Sequence, residues 1–176
     1  MTIEIKKRAS KEFAEDTVNA AGQYKQFMKK PERRLQDNFK QWKAILIASI
    51  VWIVLILAIM VMWGSDAIKE ICFVILVINI VVSAAMLFSM TKYRNAIIDE
   101  QRISILTIDE SGVEITKEGV QTVKVTWENV AFIRLFRSAL CFFPKNLTSF
   151  VISVDMDYSE QIIHEIKELG VDVKII

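Results

Sequence analysis

The sequence predicts a two-helix transmembrane hairpin joined to a cytoplasmic α+β domain, a small antiparallel meander with a C-terminal helix. Three observations carry this. Residues 44–63 and 71–90 form two apolar runs of 20 residues, neither holding a charged side chain. From residue 103 onward the pattern changes to short alternating segments separated by turn residues. An amphipathic stretch bounded by Tyr158 and Leu169 then closes the chain's last part.

The runs decide location. At about 1.5 Å rise per residue, each makes a helix roughly 30 Å long, the thickness of a bilayer's hydrocarbon core. Each run holds 12 residues of the Leu/Ile/Val/Phe type. Together these favour insertion by at most about 4–7 kcal/mol, whereas one central Lys or Asp would cost about 2.5–3.5 kcal/mol. The first run follows 43 largely polar residues, which places it too late for a signal peptide. Trp42 and Trp63 bracket the first run and Tyr93 closes the second, as interfacial aromatic belts do.

Basic residues set the orientation. Seven lie in the 20 residues before the first run: Lys25, Lys29, Lys30, Arg33, Arg34, Lys40 and Lys43. The connection 64–70 has only Lys69, and Lys92, Arg94 and Arg102 follow the second run. The positive-inside rule therefore puts both termini in the cytoplasm and loop 64–70 outside. Arg33, Arg34, Lys40, Trp42, Lys43, Trp63, Lys92, Tyr93 and Arg94 are the expected membrane-interface residues, and membrane lipids the expected partners. Three regions result: 1–43 as a cytoplasmic N-terminal segment, 44–90 as the hairpin, and 91–176 as a cytoplasmic β domain.

The net charge of +1 hides an asymmetry. Residues 1–44 carry 11 basic and 6 acidic side chains, and residues 91–176 carry 10 and 13. An acidic C-terminal region argues against nucleic acid as a partner. Cys72 and Cys141 fall on opposite sides of the predicted membrane, so they cannot pair, and both read as small buried hydrophobes.

Element by element, residues 2–7 alternate as a short strand. Ser10 is an N-cap for a helix whose Phe13, Thr17, Ala21, Tyr24 and Met28 share one face. Pro31 stops that helix and suits the first turn of a second, with Leu35, Phe39 and Trp42 on one face. This N-terminal segment has two readings, an amphipathic helix on the lipid surface or a helix packed against the C-terminal domain. Within the spans, Asn79 and Ser83 lie four apart on one face, and Ser49 offers a small patch opposite; these read as helix–helix packing. Residues 91–102 extend the second helix. Strands follow at 103–109, 113–117, 122–126, 130–137, 139–143 and 150–154, with turns at Glu110-Ser111-Gly112 and Glu118-Gly119 and a bend at Trp127-Glu128-Asn129. Asp157 and Glu160 form a capping box for the last helix, Gly170 ends it, and 171–176 forms a final strand.

The segments ILTIDESGVEIT (105–116), VTWENVAFIRL (125–135) and CFFPKN (141–146), preceded by the hairpin and followed by a terminal helix, resemble the YcxB-like family of bacterial membrane proteins. The shared features are the Asp109–Gly112 turn, the Trp127 to Val130 corner, and Pro144-Lys145 after an apolar strand. The resemblance implies a pleckstrin-homology-like (PH-like) C-terminal domain, residence in a bacterial cell membrane and a non-enzymatic character. The strand at 150–154 and the tail 171–176 depart from that pattern.

Chemistry is sparse. His164 stands alone among the histidines, so no His-based metal cluster is available. There is no P-loop, G-x-G-x-x-G or G-x-S-x-G, and no EF-hand surrounds Asp155, Asp157 and Glu160. No cofactor or metal is expected. The leading expectation is a non-enzymatic membrane protein whose β domain binds a protein partner, or lipid headgroups, at the inner leaflet. Alternatives are a membrane-embedded immunity protein against a bacterial toxin and an oligomeric channel or transport accessory subunit.

Overall fold

A computed structural model describes residues 1–5, 9–99, 104–117, 122–145 and 150–176. Arg102, Ile103 and the Glu118-Gly119 turn lie outside the described residues. The chain divides into two compact units, Met1–Gln36 with Arg94–Ile176, and Asp37–Tyr93. The N-terminal segment is thus not a region of its own. It folds together with the C-terminal strands.

The first unit contains two antiparallel sheets. One has β1 (Thr2–Ile5), β2 (Ser104–Asp109), β3 (Gly112–Lys117) and β4 (Val123–Thr126), in that spatial order. The other has β5 (Val130–Leu135), β6 (Ala139–Pro144) and β7 (Ile152–Asp155). A 3₁₀ turn, Trp127–Asn129, links the sheets. β1 reaches across more than half of the sequence to pair with β2, with Ile3 opposite Leu106.

Hydrophobic alternation explains the layers. Leu106 and Ile108 of β2, Val113 and Ile115 of β3, and Ile133, Leu140, Phe142, Ile152 and Val154 of the second sheet share one core with Ile3. The C-terminal helix, Ser159–Glu168, adds Ile162 and Ile166 to it. Their spacing of four puts both on one helical face. Every residue of β6 is buried, so its outer face must also be covered. Helices α1 (Lys11–Gly22) and α2 (Tyr24–Lys29) cover it: Ala20, Ala21, Tyr24 and Phe27 pack with Phe132, Phe136, Cys141 and Phe143. Of the two readings of this segment, packing against the strand domain is the one observed.

Local chemistry sets the element ends. Ser10 Oγ accepts from Phe13 N at 3.0 Å and starts α1. Asp109 Oδ1 accepts from Ser111 N at 2.7 Å and Gly112 N at 3.1 Å, closing the two-residue β2–β3 turn. The terminal helix differs from expectation at its start. Its N-cap is Tyr158, one residue later than expected, and Asp155 accepts from Asp157 N at 3.1 Å. A 3₁₀ turn at Met156–Tyr158 orders the entry. Gly170, at φ 65°, ends the helix as expected. The tail beyond it makes one parallel bridge, Ile133 to Ile175, rather than a full strand.

The second unit holds two helices, Asn38–Trp63 and most of Ala67–Asp99, hereafter α3 and α4. No second N-terminal helix starts at Pro31. The chain stays non-helical until Asp37, whose Oδ1 caps α3 by accepting from Lys40 N at 3.0 Å. The connection is shorter than the apolar runs suggest, only Gly64, Ser65 and Asp66. Gly64 adopts φ 76°, and Asp66 caps α4 by accepting from Lys69 N at 3.0 Å.

Candidate membrane interface and packing faces

Both long helices have the length and composition to cross a membrane, and only 6% of the most apolar 18-residue stretch of either is buried. A helix in the core of a soluble protein would be covered on most sides. Here each helix has a single narrow covered stripe. On α3 it runs through Ile45, Leu46, Ser49, Ile53, Ile56 and Met60; on α4 through Phe73, Leu76, Ile80, Ser83, Leu87 and Met90. The alternating three- and four-residue steps put the covered positions along one face of each helix. Three residues, 64–66, connect the two helices.

The three expected packing residues separate on this pattern. Ser49 and Ser83 are buried on the stripes, where small side chains let backbones approach. Asn79 is not with them. It is exposed, and its Nδ2 donates to Ile75 O at 3.2 Å, one turn back in its own helix. A spacing of four tolerates about 40° of angular offset, enough to move Asn79 off a narrow seam that contains Ser83. Cys72 is also exposed, contrary to its reading as a buried hydrophobe, because it falls between covered positions.

The expected interface residues are mostly exposed. Trp63 is 72% exposed and Tyr93 50%. Arg33, Arg34, Lys40, Lys43 and Lys92 are exposed, and Trp42 is half-buried. Arg94 differs: its Nη1 meets Glu15 Oε1 at 3.0 Å, joining the end of α4 to α1, so its charge is engaged within the domain. In the connection, Lys69 Nζ lies 3.0 Å from Asp66 Oδ2 and donates to Gly64 O at 2.8 Å. Hydrogen bonds from Lys69 hold the Asp66 carboxyl below its ordinary value.

The segment before α3 is clamped by residues that patterning alone does not single out. Gln23 Nε2 donates to Gln36 O at 2.6 Å, and Gln36 N donates back to Gln23 Oε1 at 3.1 Å. Arg134 on β5 donates to Pro31 O and lies over the rings of Phe27, at 4.7 Å, and Phe136, at 5.1 Å. Burial lowers its pKa, and the Glu32 carboxylate opposes that shift. Tyr24 Oη donates to Pro144 O, and burial raises its phenol pKa. The exposed Lys25, Lys29, Lys30, Arg33 and Arg34 therefore sit on an anchored support.

His164 is exposed, with Nδ1 3.6 Å from Glu168 Oε2. Cys141 is buried, and desolvation pushes its thiol up to about 12, far from a reactive thiolate. Among the described residues no group of three His, Cys, Asp or Glu side chains is placed to hold a metal. A cleft of about 430 Å³ opens beside β5, lined by Trp127, Val130, Lys145, Leu169, Val171 and Lys174 among others. Its lysines are engaged: Lys145 Nζ donates to Glu128 O at 2.8 Å, and Lys174 Nζ meets Glu32 Oε1 at 3.2 Å.

No protein-family model, curated protein or solved structure matches the chain.

Proposed function

We propose that this chain is a non-enzymatic integral membrane protein whose strand domain binds a protein partner at the cytoplasmic face. One observation carries the reading: two long apolar helices in the same unit leave most of their apolar positions exposed. In water, that much exposed aliphatic surface drives aggregation; in hydrocarbon it is at home. The basic residues before α3 favour the cytoplasmic side for both termini and suit an anionic inner leaflet, at about 1 kcal/mol per residue near the surface.

The strand domain supports a PH-like reading by its two meandering sheets and its terminal helix, and that layout keeps the YcxB-like resemblance as a proposal. Fold alone does not assign a ligand. Together, Met1–Gln36 and Arg94–Ile176 hold 18 basic and 18 acidic residues, so the domain as a whole has no net charge. That balance favours a protein partner over strong headgroup capture, and the cleft beside β5 is the surface we assign to it.

Alkaline carbonate extraction of membranes from expressing cells tests the location. The chain should stay with the pellet. A chain released into the supernatant, monodisperse without surfactant, overturns the reading. For the partner, capture from detergent extracts should lose one specific protein when Lys174→Glu alters the exposed rim of the cleft. Capture unchanged by that substitution would remove the cleft from the account.

A further inference from the structure

Asn79 is the one carboxamide within the charge-free run 71–90, and it faces outward. One of its N–H groups is used on Ile75 O, and its Oδ1 has no partner among the described residues. The outward residues of α3 between Ile47 and Val61 are apolar apart from Trp52, whose indole N–H can donate but not accept, so none of them presents both a donor and an acceptor. A bilayer core offers no water to satisfy the Asn79 amide. A carboxamide that retains one donor and one acceptor is self-complementary: two of them related by a two-fold axis satisfy each other.

The neighbours of Asn79 form a seam. Cys72, Ile75, Asn79, Val82, Met86, Ser89 and Tyr93 follow alternating steps of three and four, and all are exposed. This seam is shifted by one residue from the stripe covered in the hairpin, hence rotated about 100° from it. Both can therefore be occupied at once. Asn79 takes the position at which a single asparagine fixes register in parallel two-stranded helix pairs. Cys72 occupies the equivalent position one heptad earlier, and small Cys72 and Ser89 permit close approach. Two copies in one membrane share one orientation, so a two-fold axis along the membrane normal sets their α4 helices parallel with like residues opposed.

We propose that α4 docks onto α4 of a second copy of this chain along the Cys72–Ile75–Asn79–Val82–Met86 seam, with the two Asn79 amides hydrogen-bonded across the axis. This rests on the membrane reading above.

The test uses the full chain in phospholipid vesicles at high lipid excess, after carbonate washing. Energy transfer between donor- and acceptor-labelled copies reports association, and mild oxidation reports Cys72–Cys72 proximity. The wild-type chain should transfer energy and form a disulfide-linked dimer. Asn79→Leu should weaken association roughly three- to twentyfold, with the far-ultraviolet helix signal unchanged. In a Cys72→Ser background, Val81→Cys should not cross-link, because residue 81 lies off the seam. A monomeric wild-type chain in washed vesicles overturns the dimer while leaving the membrane reading standing. So does association indifferent to Asn79→Leu, equal cross-linking through residue 81, or cross-linking in cells only to a different protein. A chain that washes out of the vesicles overturns the membrane reading, and the dimer with it.

Discussion

Gly112 shows how closely the strands of the first sheet approach. A Cβ at this position would lie 2.2 Å from Val125 O and 2.7 Å from Thr126 Cα, both backbone atoms that cannot swing aside. Gly112→Ala should therefore destabilise the strand domain by about 1–3 kcal/mol, the range for overpacking, read as a lowered melting temperature in detergent. The preceding Asp109 carries a pH dependence. Hydrogen bonds from the Ser111 hydroxyl and amide, aided by Gly112 N, hold its carboxyl below 3.8 in the folded chain. A depressed folded pKa contributes stability that is present above the unfolded value and lost as pH falls through the lower one. Thermal unfolding between pH 5 and pH 2 should show Asp109→Asn losing less stability on acidification than the wild type. Equal losses would mean the carboxylate's charge adds nothing to the turn.

The N-terminal helices illustrate what patterning can and cannot resolve. Ser10 as an N-cap, the period-2 strands and the Gly170 stop are local features, so they were readable from neighbouring residues. Where α1 and α2 dock was not, because an amphipathic helix has the same pattern against lipid as against a sheet. The distinguishing signal lay elsewhere, in β6. Ala139–Pro144 is apolar on both faces, so something had to cover the second face. The pairing of β1 with β2 and the Arg134–Pro31 clamp span about a hundred residues of sequence, beyond any local pattern. Phe27 tests the docking. It is fully buried, with ring centroids 5.6 Å from both Phe136 and Phe143. Phe27→Ala should cost about 3–5 kcal/mol of domain stability, measured by chemical denaturation in detergent. A change below about 1 kcal/mol would indicate that α2 does not pack on β6.

At the scale of the whole molecule, the hairpin is an insertion within the strand domain. β1 precedes α3 and α4, and its partner β2 follows them. An acidic C-terminal region considered alone thus misstates the domain's charge, because the basic N-terminal segment folds with it. The existence of the helices was legible, since a charge-free run of 20 residues is unambiguous in length. Which face of each is covered was less so: nearly all positions are apolar, and only Ser49, Asn79, Ser83 and Ser89 break the uniformity. The account stands or falls on where these helices reside. The most direct measurement is labelling of single cysteines by a membrane-impermeant maleimide on intact cells, in a Cys72→Ser background. Ser65→Cys, in the connection between the helices, should be labelled from outside, and Asp172→Cys, in the C-terminal tail, only after the cells are opened. Labelling of residue 172 on intact cells would contradict the assigned orientation, and recovery of the protein from the soluble fraction would contradict the membrane assignment itself.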